Sequence, residues 1–376
     1  MADVEAAVIG GGVVGAGVAY TLARRGVKTV VLEAEDEPAR GASGSNSGIL
    51  HTGFDSKRGE LETELILRAA ELRASVVEEL GIPVIRCGAR LEPHSEEDAG
   101  TIGRLAAGAM VNGVEVELAD EALIVPGESV TDPVAYTDAL LATAAGERTE
   151  VRTGAPVAGI RRHDGRLIVE VDGGPGVACS VAFNCAGLHA DNVARLAGDD
   201  SFGIYPRKGE FFVYDPPEPL ERILLPVPTE RTKGVLVFPT IDGKVIAGPT
   251  AVDGEDKSDW TVRDEAFAEV MAKARAMWPP LEAAEPIAAY AGLRPAGRDG
   301  ANYVIRPSRG IPGLVNVAAI RSTGLTASLG IGEHVVKIAA ELGLGLGPDR
   351  PLPAGTVTPG DLPWWRRAAI RTIEAA

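Results

Sequence analysis

Cysteine is scarce and unpatterned: the chain has three, Cys87, Cys179 and Cys185, and no pair stands in a CxxC spacing. That argues against both a disulfide framework and a cysteine-based zinc site, and no metal is expected. Positive charge is also in deficit, leaving a formal net charge of −16. Such a balance excludes nucleic acid as a partner and disfavours an anionic membrane surface. Any anionic small molecule must then be drawn in by local arginine or lysine against the global field. No apolar run approaches the roughly 18 residues of a membrane span. The segment Met1-Ala2-Asp3-Val4-Glu5 lacks the basic n-region of a secretion signal. A cytoplasmic location is therefore expected. No internal repeat is visible.

At 376 residues the chain exceeds the usual size of a single core, so two intertwined domains are expected. The stretch that organises them is Val4 to Glu33. Ala6-Ala7-Val8-Ile9 is apolar without alternation, as a parallel strand buried on both faces requires. Gly10-Gly11-Gly12-Val13-Val14-Gly15 follows and satisfies G-x-G-x-x-G. The pattern then predicts a helix from about 16 to 25, capped by Gly26, and a second strand over 28–32 ending on Glu33. Gly10 permits the tight turn, Gly12 lets backbone approach a pyrophosphate, and Gly15 lets the helix lie close on the sheet. The free N–H groups of the helix start, Val14 included, face phosphate. An acid at the strand end accepts hydrogen bonds from ribose hydroxyls, which is the role expected of Glu33. A lone glycine motif would be weak; this ordered set predicts a Rossmann-like dinucleotide site.

Residues 40–53 (Arg-Gly-Ala-Ser-Gly-Ser-Asn-Ser-Gly-Ile-Leu-His-Thr-Gly) are small and polar, without Pro, Glu or Lys, and run into apolar Ile49-Leu50. Read alone, this is either a surface loop or a wrap of N–H and hydroxyl groups around a phosphate and a flat ring. With GGGVVGAGVA and VVLEAE before it, GASGSNSGILHTGF resembles the FAD-dependent oxidoreductases of the D-amino-acid-oxidase superfamily. Within that superfamily the chain is most similar to soluble glycerol-3-phosphate oxidases and dehydrogenases and to L-2-hydroxyglutarate oxidases. The resemblance implies FAD, held non-covalently, against Ala42, Ser43, Asn46, Ser47 and Gly48, with His51 at the reacting carbon. A neutral imidazole suits removal of a hydroxyl proton near neutral pH. A histidine that only caps the loop, or one that attaches flavin covalently, are the competing readings of His51.

Further along, Val151 to Ile160 resembles the superfamily strand that meets adenine around Val157, and Asn184-Cys185-Ala186-Gly187 resembles the turn beside the FAD phosphates, which adds Ala186 and Gly187. Ala289-Tyr290-Ala291-Gly292-Leu293-Arg294-Pro295 reads as a buried strand carrying one arginine into the site, where a guanidinium fork clamps a carboxylate or phosphate. The resemblance gives Arg294 the anionic end of the substrate and places Gly292 at the cofactor. Lys233 precedes a strand and is expected at a phosphate, with Lys208 the other inward candidate. A glycine turn before a helix over 327–342 would aim N–H groups at the flavin N1–C2=O edge. By resemblance that puts Gly324, Leu325 and Thr326 at FAD and Arg321 or Ser322 near the substrate anion.

The fold expected is α/β (α+β overall): a Rossmann-like FAD-binding domain from residues 1–82, 147–201 and 300–345, and a mixed or antiparallel-sheet substrate domain from 83–146 and 202–299. The tail, 346–376, carries Trp364-Trp365-Arg366-Arg367. It either docks weakly on a membrane interface or packs on its own domain or on a second copy. The expected activity is oxidation of a secondary alcohol on a small anionic substrate. Glycerol 3-phosphate is the first choice, then L-2-hydroxyglutarate or another 2-hydroxy acid, then an amine or amino acid. Electrons would pass to oxygen, a quinone or a redox protein. The rivals are a nucleotide-sensing module without catalysis and a dehydrogenase using nicotinamide alone.

Overall fold

The computed structural model describes residues 2–228, 234–357 and 360–376. Its first unit is β1 (Ala6–Ile9), α1 (Val13–Arg24) and β2 (Thr29–Leu32). Every residue of both strands is buried, which is why neither alternates. The helix starts at Val13 with Gly12 as its N-cap, earlier than the apolar periodicity suggests, so the motif's last residues form its first turn. The chain continues through β3 (Ile49–Leu50) and α2 (Leu61–Glu79), crosses to a second sheet, and returns by α3 (Pro133–Ala145), β4 (Thr149–Arg152) and β5 (Val181–Asn184). It leaves again along β6 (Ile204–Tyr214) and β7 (Pro286–Gly297), then closes with β8 (Val304–Pro307), β9 (Leu314–Ala318), α4 (Gly324–Glu341) and α5 (Trp364–Glu374).

The nucleotide-side sheet has six strands in the order β4-β2-β1-β5-β9-β8, parallel except for β8. Helices α1, α2, α3 and α4 cover one face in a single core that includes Leu22, Ile66, Tyr136 and Ile331. Asp132 starts α3 by accepting from Val134 N and Ala135 N at 2.8 and 2.9 Å. The second sheet has nine strands and is mixed: β6 pairs along its length with β7, and residues 89–91 run parallel to 223–225.

Residues 83–91 form two short strands, Val84–Ile85 and Ala89–Leu91, in different sheets, because the chain turns at Gly88 with φ +68°. Residues 114–118 alternate apolar and acidic, yet pairing is confined to Glu117–Ala119, an exposed edge strand with one neighbour. Helix α4 also begins at Gly324, so the glycine turn is its first turn.

Of the readings of the tail, the structure favours packing on the chain's own domain. Trp364 and Trp365 are 3% and 5% exposed. Trp364 meets the Tyr290 ring edge-on at 5.6 Å, and Trp365 donates Nε1–H to Asp242 at 2.9 Å. Buried in the substrate-side core, the pair is not offered to a lipid surface. Among the described residues no helix is long and apolar enough to cross a membrane.

Candidate active site

A cavity of about 850 Å³ runs between the two sheets, large for a small-molecule site. Its nucleotide end is built by the β1–α1 turn. Gly10 has φ +108°, and a Cβ there would stand 2.5 Å from the Cys185 carbonyl, so only glycine fits. At the helix start, Val13 N–H donates to Ser43 Oγ at 2.9 Å. Glu33 lines the cavity and accepts from Gly11 N at 2.6 Å and Glu35 N at 2.9 Å. Burial raises its carboxyl above the ordinary range against those two hydrogen bonds. Gly12, Val14, Val157, Ala186 and Gly187 line the same end.

The 40–53 segment forms the next wall. Asn46 organises it: its Nδ2 donates to the carbonyls of Ala42 and Ser43, and its Oδ1 accepts from Gly48 N at 2.7 Å. The β7 strand passes so close that a Cβ at Gly292 would lie 2.1 Å from the Ser45 carbonyl. Tyr290 adds a hydrogen bond to the Asn46 carbonyl at 2.9 Å. Ala42, Ser43, Asn46, Ser47, Gly292, Gly324 and Leu325 all line the cavity. Gly15, Gly48 and Thr326 do not; they sit behind the wall. Gly15 lies against Gly10, and Gly48 against the Thr131 carbonyl. Thr326 Oγ1 accepts from His51 N at 3.1 Å, so it braces the histidine.

His51 follows β3 and lines the cavity. Leu50 pairs with Ser129 in an antiparallel ribbon, which sets Glu128 next to His51. Glu128 Oε2 lies 2.8 Å from His51 Nδ1, and the Glu128 side chain is 0% exposed. Its other oxygen accepts from Thr52 N at 2.6 Å and from Thr52 Oγ1 at 2.9 Å. A carboxylate accepts, so Nδ1 carries a hydrogen, and in the neutral ring the lone pair is on Nε2. Arg73, from the middle of α2 and buried, donates to the carbonyls of His51 and Thr326 at 3.0 and 3.1 Å. Helix α2 thus holds the histidine segment in place.

The cationic side is concentrated in one guanidinium. Arg294, on β7, donates Nη2–H to the Thr250 carbonyl at 3.0 Å and has no ion-pair partner among the described residues. Gly209 on β6 makes room for it, since a Cβ there would meet Arg294 Nη2 at 2.2 Å. Burial, and then the neighbouring Arg207, push its pKa down to about 10 with Asp253 opposing, so it stays a cation at neutral pH. Arg207 is held by Asp253. Arg321 is not a free anion clamp: its Nη2 pairs with Glu62 at 2.7 Å. Glu62 also accepts from Asn302 and Thr323, and burial is outweighed by those bonds and by Arg321, which hold its carboxyl below the ordinary range. Ser322 lines the cavity. Lys208 is buried but bound to Asp259 and the Thr261 carbonyl, at 2.6 and 3.0 Å. Lys233 lies outside the described residues.

The donor set fits a flavin dinucleotide: a glycine-lined helix start for phosphate, a ribose acid, a close backbone wall, and a histidine and an arginine on the same cavity. Comparison with known proteins agrees. A glycerol 3-phosphate dehydrogenase of Caloramator mitchellensis is 26% identical over 355 residues, covering 89% of this chain and 73% of that protein. An L-2-hydroxyglutarate dehydrogenase of Escherichia coli is 26% identical over 285 residues, covering 70% and 68%. The solved L-α-glycerophosphate oxidase of Mycoplasma pneumoniae, with FAD bound, superposes with a TM-score of 0.87 at 24% identity, covering 96% of this chain and 100% of that one. The family model for FAD-dependent oxidoreductases of the DAO type matches residues 5–338, and the chain belongs to that family.

Proposed function

We propose that this enzyme oxidises the secondary alcohol of a small anionic substrate, glycerol 3-phosphate to dihydroxyacetone phosphate being the first choice. The observation that carries this reading is the His51–Glu128 pair, an oriented base on the same cavity as Arg294, a cation without an ion-pair partner among the described residues. FAD, when bound, supplies N5 as the hydride acceptor. The chain's own residues do the rest. Nε2 of His51 takes the hydroxyl proton, and Glu128 stabilises the imidazolium through Nδ1–H. Arg294 holds the anionic end and so fixes which carbon faces the acceptor. Arg73 and Thr326 keep the His51 backbone from shifting under that load.

L-2-hydroxyglutarate or another 2-hydroxy acid is the second reading. One planar guanidinium, that of Arg294, matches a carboxylate bidentately. The test is anaerobic mixing of each compound with the purified yellow protein while the oxidised flavin band is followed. Bleaching by glycerol 3-phosphate alone supports the first reading. Bleaching by the hydroxy acid alone transfers the same base and clamp to that substrate, and bleaching by neither refutes both.

A further inference from the structure

The chain beyond the family-matched region comes back to the cofactor cavity. Helix α5 starts at Trp364, well past residue 338, where the family match ends, and its Arg371 lines the cavity. That guanidinium lies over the Trp260 ring, 4.0 Å from its centroid, and donates Nη2–H to Glu35 at 3.1 Å and Nη1–H to the Arg40 carbonyl. Two of its five N–H donors are used in this way, leaving three. Arg40 lines the cavity too, and among the described residues its buried Nε has no hydrogen-bond partner and its guanidinium no ion pair. The backbone just before Arg40 meets the start of α1, where Ala39 N–H donates to the Gly11 carbonyl at 3.2 Å. Arg40 is three residues before Ser43, whose hydroxyl receives Val13 N–H, and Arg371 is bonded to Arg40 itself.

We propose that Arg40 and Arg371 form a clamp on the diphosphate bridge of FAD, so that the C-terminal helix supplies a cofactor contact from outside the family-matched region. This rests on FAD as the cofactor and is independent of which substrate is oxidised. The chemistry is direct. A diphosphate brings two negative charges into a protein of net charge −16, and α1 offers it only backbone N–H groups. A guanidinium fork matches two phosphate oxygens at once, and one already stacked on an indole loses little freedom in doing so. Glu35 and the Arg40 carbonyl hold Arg371 in the orientation it needs. The helix is fixed by Trp364 and Trp365, so the arginine is carried on an anchored element.

The test uses the full chain stripped of flavin, titrated with FAD, for wild type, Arg371→Ala, Arg371→Glu and Arg40→Ala. The clamp predicts an FAD Kd weakened about tenfold or more in each alanine variant, further weakening in Arg371→Glu, and a shallower dependence of Kd on salt. It also predicts that the flavin-free variants lose far less melting temperature than the FAD-bound ones, because the contacts of Arg371 to Glu35, the Arg40 carbonyl and Trp260 are lost in both forms and the phosphate contact only in the second. An unchanged Kd in both alanine variants overturns the proposal. So does a weaker Kd accompanied by an equally destabilised flavin-free protein, since that would make Arg371 a strut that docks the tail. A chain that takes up no FAD at all would instead count against the cofactor, a different failure.

Discussion

Glu128→Gln is the sharpest perturbation of the catalytic pair, because it changes one atom and no volume. The Glu128 oxygen facing Thr52 accepts from a backbone N–H that cannot reverse its role, so the amide oxygen must settle there. The amide NH2 then faces His51 Nδ1, which has to become the acceptor, and the hydrogen moves to Nε2. The base is lost by tautomer, not by geometry. The charge goes as well: a carboxylate about 4 Å from an imidazolium, at an effective dielectric of about 20, contributes roughly 4 kcal/mol. At about 1.4 kcal/mol per tenfold, the rate of flavin reduction by substrate should fall by about a thousandfold. Stopped-flow reduction under anaerobic conditions gives that rate, and nitrogen NMR of labelled histidine gives the tautomer. A variant that keeps hydrogen on Nδ1, or that reduces within threefold of wild type, would refute the role assigned to Glu128.

Arg294→Ala should lower kcat/KM by about a hundredfold or more, chiefly through KM, since truncating a buried charge partner costs about 2–5 kcal/mol. Arg294→Lys should recover only part of it, because the charge returns without the fork; equal activity of the lysine variant would contradict a bidentate clamp. Gly292→Ala forces a methyl to within 2.1 Å of the Ser45 carbonyl and should cost about 1–3 kcal/mol of stability. Flavin content and melting temperature should fall together; an unaffected holoprotein would show that β7 does not press on the 42–48 segment. Asp138, on α3, has its pKa raised from 3.8 to about 6 by burial, with Arg367 opposing and Asp132 and Glu37 adding to the rise. Folding therefore favours its neutral form, and stability declines as pH rises from about 4 through about 6. Discounted for partial exposure, Asp138→Asn should stabilise by about 1 kcal/mol at pH 7.5 and by nothing near pH 4. Urea unfolding at the two pH values decides it, and a gain that is the same at both would contradict the assignment.

What could be read without a structure follows the range of the interactions concerned. β1, α1 and β2 are made by contacts within thirty-odd residues, so glycine spacing, periodicity and the terminal acid were sufficient to place them. The inward placement of Arg294 on the cavity was legible because a lone charge in an apolar strand stands out in the pattern. Glu128 was not. Its pairing with His51 is set by the register of β3 on Ser129–Thr131, a three-residue strand with no periodicity of its own. Arg73 looked like an ordinary polar position on an amphipathic helix, and only the packing of α2 against α4 turns it inward onto two carbonyls. Arg321 carried the right charge, but Glu62, more than two hundred and fifty residues away in the chain, claims it. The tryptophan pair was ambiguous for the same reason: amphipathic composition does not say whether lipid or the protein's own Tyr290 lies opposite.

The most direct test of the catalytic reading combines substrate, base and clamp in one experiment. Wild type, His51→Ala and Arg294→Ala are each mixed anaerobically with glycerol 3-phosphate and then with L-2-hydroxyglutarate, and the oxidised flavin band is followed. Rapid bleaching of the wild type by one of the two, lost in His51→Ala and shifted to much higher substrate concentration in Arg294→Ala, is the predicted result. Bleaching that survives unchanged in His51→Ala, or a wild type that neither compound reduces, would contradict an alcohol oxidation driven by an oriented histidine base.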